Sequence, residues 1–304
     1  MTYSICARDA ETGELGVAVQ SCMFGTGVIV PWARPGVGAV ATQAFAEAAY
    51  GPRCLDALAA GASASEALDA ARALDGAPMM RQVGVVAADG SSAAFTGELC
   101  IAEAGDARGD GYVVQANMMA SARVWPAMAS AFESARGALA ERLVAALVAA
   151  EDEGGDARGA MSAALVVVGG EPASAPAEGV RFDLRVEDSS APLDELARLV
   201  RVSQAFHAFE RGEDALLAGD PQTALRELDA ALAVLPDDEN FHFAHAGALL
   251  FCGRTEDALS ETRALVAHRP SWATIIRSFV AKGLFPVPPG LDVEAELRRA
   301  LTQS

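Results

Sequence analysis

Residues 2–21, TYSICARDAETGELGVAVQS, predict two β-strands joined by a turn. Thr2–Arg8 alternates and includes β-forming residues, Asp9–Gly13 is a cluster of turn-forming residues, and Leu15–Ser21 alternates again. This pattern indicates a β-hairpin that opens the first domain. Because side chains alternate along a strand, one face of the first strand carries Thr2, Ser4 and Cys6.

Beyond the hairpin, strand-like and helix-like segments follow one another as far as residue 190. After a glycine-rich loop or irregular strand at 25–38, strands are predicted at 37–43, 82–88, 92–96, 113–118, 162–168 and 180–186. Helices are predicted at 52–60 and 65–74, and 125–150 indicates two helices broken near Gly137. This order favours an α+β fold for residues 1–190, with sheets sandwiched between helical layers.

The C-terminal part of the chain contains an internal repeat. A shift of 34 residues aligns Leu216 with Leu250, Gly219 with Gly253, and Pro236 with Pro270. This period, with a proline closing each unit, resembles the tetratricopeptide repeat. We expect an all-α region at 191–304, with capping helices at 193–208 and 272–284, because two repeats rarely stand alone. The array either packs on the domain or a second copy, or binds a protein or peptide in its groove.

The composition limits the classes of function. The net charge of −18 repels phosphate backbones, so nucleic acid is not expected as a partner. No apolar run is long enough to span a membrane, and the N-terminus lacks the features of a secretory signal, which predicts a soluble cytoplasmic protein. The five cysteines are scattered and form no CxxC pair, so neither a disulfide framework nor a zinc site is expected. No cofactor and no other metal site is expected either.

Two residue types are missing from the first domain. The only lysine of the chain is Lys282, and the first histidine is His207. A Ser-His-Asp triad within the first domain is therefore excluded. His242 and His245 share a face of one predicted helix, but no acidic or cysteine residue has ligand spacing to them, so we place both on the surface of the repeats.

Several motifs at family-like spacing resemble the domain-of-unknown-function 1028 family. The hairpin sequence is followed by VPWARPGVGAVATQAFAEAAYGPRCLDAL at 30–58, RQVGVVAADGSSAAFTGELC at 81–100, YVVQANMM at 112–119, GGDARGAMSAALVV at 154–167 and FDLRVEDSSAPLDEL at 182–196. The resemblance implies the N-terminal-nucleophile (Ntn) hydrolase superfamily and a four-layer αββα sandwich. It also accommodates a tetratricopeptide-like extension, and Ntn-type packing favours a homo-oligomer.

The resemblance also implies a site at the start of the first strand. Thr2 would become the nucleophile after removal of Met1, with its own α-amine, of pKa about 7.7–8.0, as the general base. The expected reaction is hydrolysis of a small amide or peptide. Oxyanion donors are expected from Asn117 or Gln43. Gln20 and Ser21, at the end of the second strand, are expected near the site, Gln20 as a catalytic residue and Ser21, like Gln43, in contact with the substrate. A substrate carboxylate would be bound by Arg8, Arg81 or Arg158.

Other observations favour a second hypothesis, a non-catalytic binding or assembly protein on a degenerate scaffold. The first domain has no lysine to lower the pKa of a nucleophile, Met161 replaces a glutamine common in the family, and Ala116 replaces a glycine. The alternative to a role in the site is that Gln43 and Asn117 tie down loop backbone and that the arginines pair with the acidic surface. A site that senses a ligand without turnover is a third alternative.

Overall fold

The computed structural model describes residues 2–175 and 178–302. In chain order the strands are β1 (Thr2–Arg8), β2 (Leu15–Ser21), β3 (Pro31–Arg34), β4 (Gly38–Ala44), β5 (Arg81–Ala87), β6 (Ser92–Thr96), β7 (Gly105–Gly109), β8 (Tyr112–Asn117), β9 (Ser162–Val168) and β10 (Val180–Val186). The helices are α1 (Tyr50–Ala59), α2 (Ala64–Ala73), α3 (Val124–Ser134), α4 (Leu139–Asp152), α5 (Pro192–Leu217), α6 (Pro221–Val234), α7 (Glu239–Phe251), α8 (Thr255–His268), α9 (Trp272–Ala281) and α10 (Val293–Leu301).

The chain forms two compact units, Met1–Val200 and Arg201–Ser304. The division falls inside α5, whereas the sequence placed it between residues 190 and 191, just before that helix begins. The first unit is a mixed α/β unit with two sheets, and the second is helical. No helix in the part of the chain that the structure describes is long and apolar enough to cross a membrane.

The predicted hairpin is confirmed and lies at the centre of a six-stranded antiparallel sheet with the strand order β10-β9-β2-β1-β8-β7. Its register pairs Thr2 with Ser21 and Arg8 with Leu15. On its other side β1 pairs with β8, so that Thr2 also lies opposite Asn117. The first described residue of the chain is therefore held in a central strand, with hydrogen-bonded neighbours on both sides.

Apolar layers cover both faces of this sheet. Tyr3 and Ile5 of β1 belong to a core that includes residues of α3 and α4, such as Phe132 and Leu143. Cys6 belongs to the core between the two sheets, together with Val17, Val19, Ala39, Ala41, Val86 and Val113. Alternation along β1 therefore places Thr2, Ser4 and Cys6 on one face, as the sequence predicted, and that face is directed toward the second sheet.

The second sheet has four strands in the order β3-β4-β5-β6, and α1 and α2 pack on it through their own core. The predicted strands at 82–88 and 92–96 are confirmed as β5 and β6, which pair as a hairpin. Ser63 caps α2, and its side chain accepts the backbone N–H of Glu66 in a reciprocal capping box. Strand β7 was not predicted, because its sequence GDARG has few β-forming residues and forms the outer edge of the first sheet.

The helical unit packs small residues where its helices meet. Ala224 of α6 and Ala258 of α8, which correspond in the 34-residue repeat, are both fully buried in one core. Gly219 and Gly253 also correspond, and both end a helical turn with positive φ, 78° and 74°. The left-handed conformation strongly favours glycine at these two places. Helix α10 was not predicted, because it follows the proline-rich stretch 286–289.

Candidate functional site

A row of polar residues crosses the six-stranded sheet at the start of β1. Asn117, Thr2, Ser21 and Ser162 are successive Cα partners on β8, β1, β2 and β9. Directly paired residues of an antiparallel sheet point to the same face, so all four side chains face the second sheet. All are buried, and Thr2 is only 4% exposed.

Thr2 is hydrogen-bonded through both its side chain and its carbonyl. Its hydroxyl donates to Ser21 Oγ at 3.1 Å, and Ser21 Oγ also accepts the backbone N–H of Met23 at 3.2 Å. The Thr2 carbonyl oxygen accepts from Gln43 Nε2 at 2.9 Å and from Asn117 Nδ2 at 3.3 Å. Four of the residues predicted for the site, Thr2, Ser21, Gln43 and Asn117, are therefore brought together.

Gln82, which was not singled out from the sequence, connects two of these residues. Its Oε1 accepts from Gln43 Nε2 at 2.8 Å and from Asn117 Nδ2 at 2.9 Å. The side chain is fully buried between the sheets. The available signal was a glutamine in an otherwise apolar strand, QVGVVA at 82–87, since a buried amide requires partners.

The predicted oxyanion donors already use their amide hydrogens. Asn117 Nδ2 has two hydrogens and two acceptors, the Thr2 carbonyl and Gln82 Oε1. Gln43 Nε2 bonds to the same two oxygens and lies 3.4 Å from the Gln115 carbonyl. Both side chains tie down backbone, but it is the backbone of strand β1 and not that of a loop. Their role as oxyanion donors stays a prediction.

Gln20 faces away from this cluster. It pairs with Tyr3 and with Ala163, so its side chain points to the helix-covered face of the sheet. Gln20 is fully buried, and within residues 2–175 and 178–302 neither of its amide atoms has a hydrogen-bond partner. Tyr3 on the same face donates its hydroxyl to Glu151 Oε2 at 2.7 Å. Gln20 and Thr2 consequently lie on opposite faces.

Arg158 lies near the same end of the sheet and is bound to a buried carboxylate. Asp156 accepts Arg158 Nε at 3.2 Å, the second guanidinium nitrogen at 3.2 Å, and the Arg158 backbone N–H at 3.0 Å. The Asp156 side chain is fully buried. A third guanidinium nitrogen lies 3.9 Å from Met23 Sδ, which places the pair next to the residues that follow Ser21.

The other two predicted arginines do not converge on Thr2. Arg81 binds Asp75 through two bonds of 2.9 and 3.3 Å. The hydrogen bond from Arg81 lowers the pKa of Asp75 to about 2. Arg8 is at the opposite end of β1, about 20 Å from Thr2 at roughly 3.3 Å per residue. The two arginines are therefore unsuited to bind a small substrate at Thr2.

His245 differs from its predicted environment, and Cys22 lies directly after the site residue Ser21. Cys22 follows β2 and is partly exposed, and burial and Asp156 raise the pKa of its thiol. His245 is buried, not on the helix surface, and its Nδ1 lies 2.8 Å from Glu261 Oε1. Within the described residues, no three His, Cys, Asp or Glu side chains are arranged to hold a metal ion.

The structure is that of a mixed α/β protein with two sheets and a C-terminal helical region, and a buried polar row crosses the larger sheet. The sequence profile of a family of unknown function, DUF1028, matches residues 2–196, and the chain belongs to this family. The crystal structure of protein SPO2555 from Silicibacter pomeroyi, described with the same family, is 29% identical with a TM-score of 0.59, covering 66% of this chain and 84% of that chain. No curated protein matches this chain.

Proposed function

We propose that the first unit is an Ntn-type amide hydrolase with Thr2 as nucleophile, on a four-layer αββα sandwich. The observation that carries the proposal is the placement of Thr2 at the start of a central strand, with its hydroxyl bonded to Ser21 Oγ and its carbonyl held by two amide side chains. The two sheets and the helical layers packed on their outer faces support the fold assignment.

The reaction begins once Met1, which lies outside the described residues, has been removed. The α-amine of Thr2 takes the proton of the hydroxyl, and the oxygen attacks the carbonyl carbon of a small amide or peptide. The amine returns the proton to the leaving nitrogen as the C–N bond breaks, and water then hydrolyses the ester. Ser21, in contact with the Thr2 hydroxyl, orients the attacking oxygen.

The charges near Thr2 favour an uncharged substrate. The guanidinium of Arg158 is compensated by the buried Asp156, and the other two predicted arginines do not converge on Thr2. A substrate carboxylate would have to compete with Asp156 for the same hydrogen bonds. The proposed substrates are therefore neutral amides and uncharged peptide segments.

Activity against a panel of neutral amides tests this proposal, together with the intact mass of the purified chain. Thr2→Ala is expected to abolish turnover, and Thr2→Ser is expected to retain it because the hydroxyl remains. Thr42→Ala is the matched control, since Thr42 is also a fully buried threonine but donates its hydroxyl to the Glu47 carbonyl. Equal rates for Thr2→Ala and the wild type, or a retained Met1, would overturn the mechanism.

A groove in the helical unit favours a second function, binding of a protein or peptide partner by a tetratricopeptide-like array. A cavity of about 570 Å³ is lined by residues of α7 and α8 and the turn before α7, namely Pro236, Asp237, Glu239, His242, Ser260, Glu261, Ala264, Leu265 and His268. Two of its carboxylates, Glu239 and Glu261, bond to Arg269 and His245, which leaves Asp237 to bind a basic group of the partner.

Ala264→Arg tests this second function, because the exposed Ala264 lines the groove and a longer side chain there would obstruct it. Ala230→Arg is the control, since Ala230 is the corresponding exposed residue of the preceding repeat and does not line the groove. A partner captured from cell extract by the wild type and by Ala230→Arg, but not by Ala264→Arg, is the expected result. Equal capture by all three proteins would contradict it.

A further inference from the structure

Four buried side-chain amides of the described residues lie between the two sheets. Gln43 comes from β4, Gln82 from β5, and Gln115 and Asn117 from β8, and each is at most 2% exposed. They lie next to Thr2 rather than at the far end of the sandwich. We propose that Gln82 positions Thr2 for catalysis by orienting the Gln43 and Asn117 amides that bind its carbonyl oxygen.

The orientation of the Gln82 amide is fixed by backbone acceptors. Gln82 Nε2 donates to the carbonyl oxygens of Ala116 at 2.9 Å and Gly105 at 3.1 Å. It also lies 3.0 Å from Thr96 Oγ1, whose own proton goes to Asp106. Carbonyl oxygens only accept, so the nitrogen end must face them and Oε1 must face the opposite direction. A flipped amide would leave those carbonyls without a donor.

The orientation of Gln82 in turn sets the orientation of two further amides. Its Oε1 accepts one hydrogen from Gln43 Nε2 and one from Asn117 Nδ2. The second hydrogen of each amide is thereby directed to the same atom, the carbonyl oxygen of Thr2. Gln82 therefore acts on Thr2 through two parallel connections, although it makes no hydrogen bond to Thr2 itself.

The Thr2 carbonyl is a suitable point from which to position a nucleophile. The carbonyl carbon of Thr2 is bonded to the Cα of the same residue. That Cα carries the side chain with the reacting hydroxyl group and, in the processed chain, the α-amine. An N-terminal residue is linked by only one peptide bond, so it has more conformational freedom than a residue within the strand. Two hydrogen bonds to the carbonyl fix the plane of that peptide bond and restrict rotation about the neighbouring bonds.

The inference rests on the proposed nucleophile for its catalytic part, and its test separates the two. Gln82→Met keeps the side-chain length and removes the amide. Gln115→Met is the matched control, because Gln115 is an equally buried glutamine that donates to Ser4 Oγ and the Ala41 carbonyl, and its side chain makes no hydrogen bond to Gln82 or Thr2. Full-length proteins are compared at a temperature at which all of them are folded.

The first measurement is hydrogen exchange of the backbone amides at the start of β1. Gln82→Met is expected to raise exchange at Tyr3 and Ser4 at least about tenfold over Gln115→Met, the change that corresponds to losing about 1.4 kcal/mol of local protection. Equal exchange in the two variants would overturn the positioning role, whether or not Thr2 is reactive.

The second measurement is acylation of Thr2 by a β-lactone, followed by intact mass and peptide mapping. The hydroxyl oxygen attacks the ring carbonyl, the ring C–O bond opens, and the ring oxygen takes the proton, so an ester forms without a leaving group. We expect a rate at least about tenfold lower in Gln82→Met and within twofold of wild type in Gln115→Met. For any amide that the wild type hydrolyses, kcat should fall while KM stays within twofold.

The outcomes are distinguishable. If wild-type Thr2 is not acylated while exchange rises selectively in Gln82→Met, the nucleophile assignment fails and the positioning of the strand stands. If acylation is equal in the two variants, the catalytic part of the inference fails. Should Gln82→Met not fold, Thr96→Val removes one acceptor of the Gln82 amide and is expected to shift both measurements in the same direction by a smaller amount.

Discussion

Gln20→Met is expected to stabilise the first unit. Gln20 is fully buried on the helix-covered face of the central sheet, and neither of its amide atoms bonds to another described residue. Burying an amide without compensating hydrogen bonds costs about 1–3 kcal/mol by mutational measurements. Methionine has a similar length and no polar group that requires a partner, so it fills the same space with little repacking.

The expected gain is about 1–2 kcal/mol in the free energy of unfolding, after allowing for imperfect packing of the new side chain. For a unit of this size the unfolding midpoint should rise by about 3–6 °C. Urea unfolding followed by the fluorescence of Trp32 and Trp125, both in the first unit, measures the change. Gln82→Met serves as the contrast, because both ends of that amide are bonded and its loss should destabilise by about 3 kcal/mol.

A loss of stability of more than about 1 kcal/mol in Gln20→Met would refute the reasoning, because the amide must then be hydrogen-bonded in solution. Turnover gives a separate result. Gln20 faces away from Thr2, so Gln20→Met should retain amide hydrolysis. Loss of hydrolysis in a stabilised variant would instead support the catalytic role predicted from the sequence, with stability sacrificed to keep a polar group in place.

Two ion pairs give further predictions. Arg81→Gln should destabilise the first unit by about 3 kcal/mol, because it leaves Asp75 buried without its charged partner. Arg34→Gln, in the exposed pair with Asp56, should change the free energy of unfolding by less than about 1 kcal/mol. Urea unfolding measures both changes. Equal losses would contradict this. Since the folded pKa of Asp75 is lowered from 3.8 to about 2, the Arg81 contribution should be complete above pH 3.8 and fall toward pH 2. Burial acts to lower the pKa of His245, but the hydrogen bond to the Glu261 carboxylate raises it overall above 6.5. The stabilisation of the second unit by protonated His245 is therefore present below pH 6.5 and lost as pH rises through the raised pKa. The stability difference between wild type and His245→Gln, followed by Trp272 fluorescence, should be larger at pH 6 than at pH 9. A difference that stays constant between these pH values would contradict the predicted pH dependence.

The elements of the first unit were predictable where local pattern determines them. The bounds of β1 and β2 match the alternation at 2–21, and the break between α3 and α4 occurs at Gly137, whose φ is 102°. Strand β7 could not be predicted in this way, because its pairing with β8 rather than its own residues makes it a strand. Tertiary context decides such edge strands, since intrinsic β-propensity is weak.

The candidate site, too, was predictable only where a local pattern determines it. The face of Thr2 followed from the period of two, and its position opposite Ser21 followed from the hairpin. The connection through Gln82 did not, because Gln82 bonds to residues that are 39 and 35 positions away in the sequence. Gln43 is its direct partner on the neighbouring strand β4, whereas packing of one sheet on the other brings Asn117 to it, and no local pattern specifies either contact.

The ion pairs of the predicted arginines restrict the chemistry available to the first unit. The sequence predicted that Arg8, Arg81 or Arg158 would bind a substrate carboxylate, but Arg158 and Arg81 are bound by Asp156 and Asp75. A guanidinium paired with a carboxylate contributes little net positive charge to its surroundings, and it cannot act as a proton shuttle. If Thr2 is a nucleophile, its activation must therefore come from its own amine, and its alignment from neutral amides. A site built in this way depends on orientation more than on charge, which is why the amides around the Thr2 carbonyl are the residues whose replacement should affect it most.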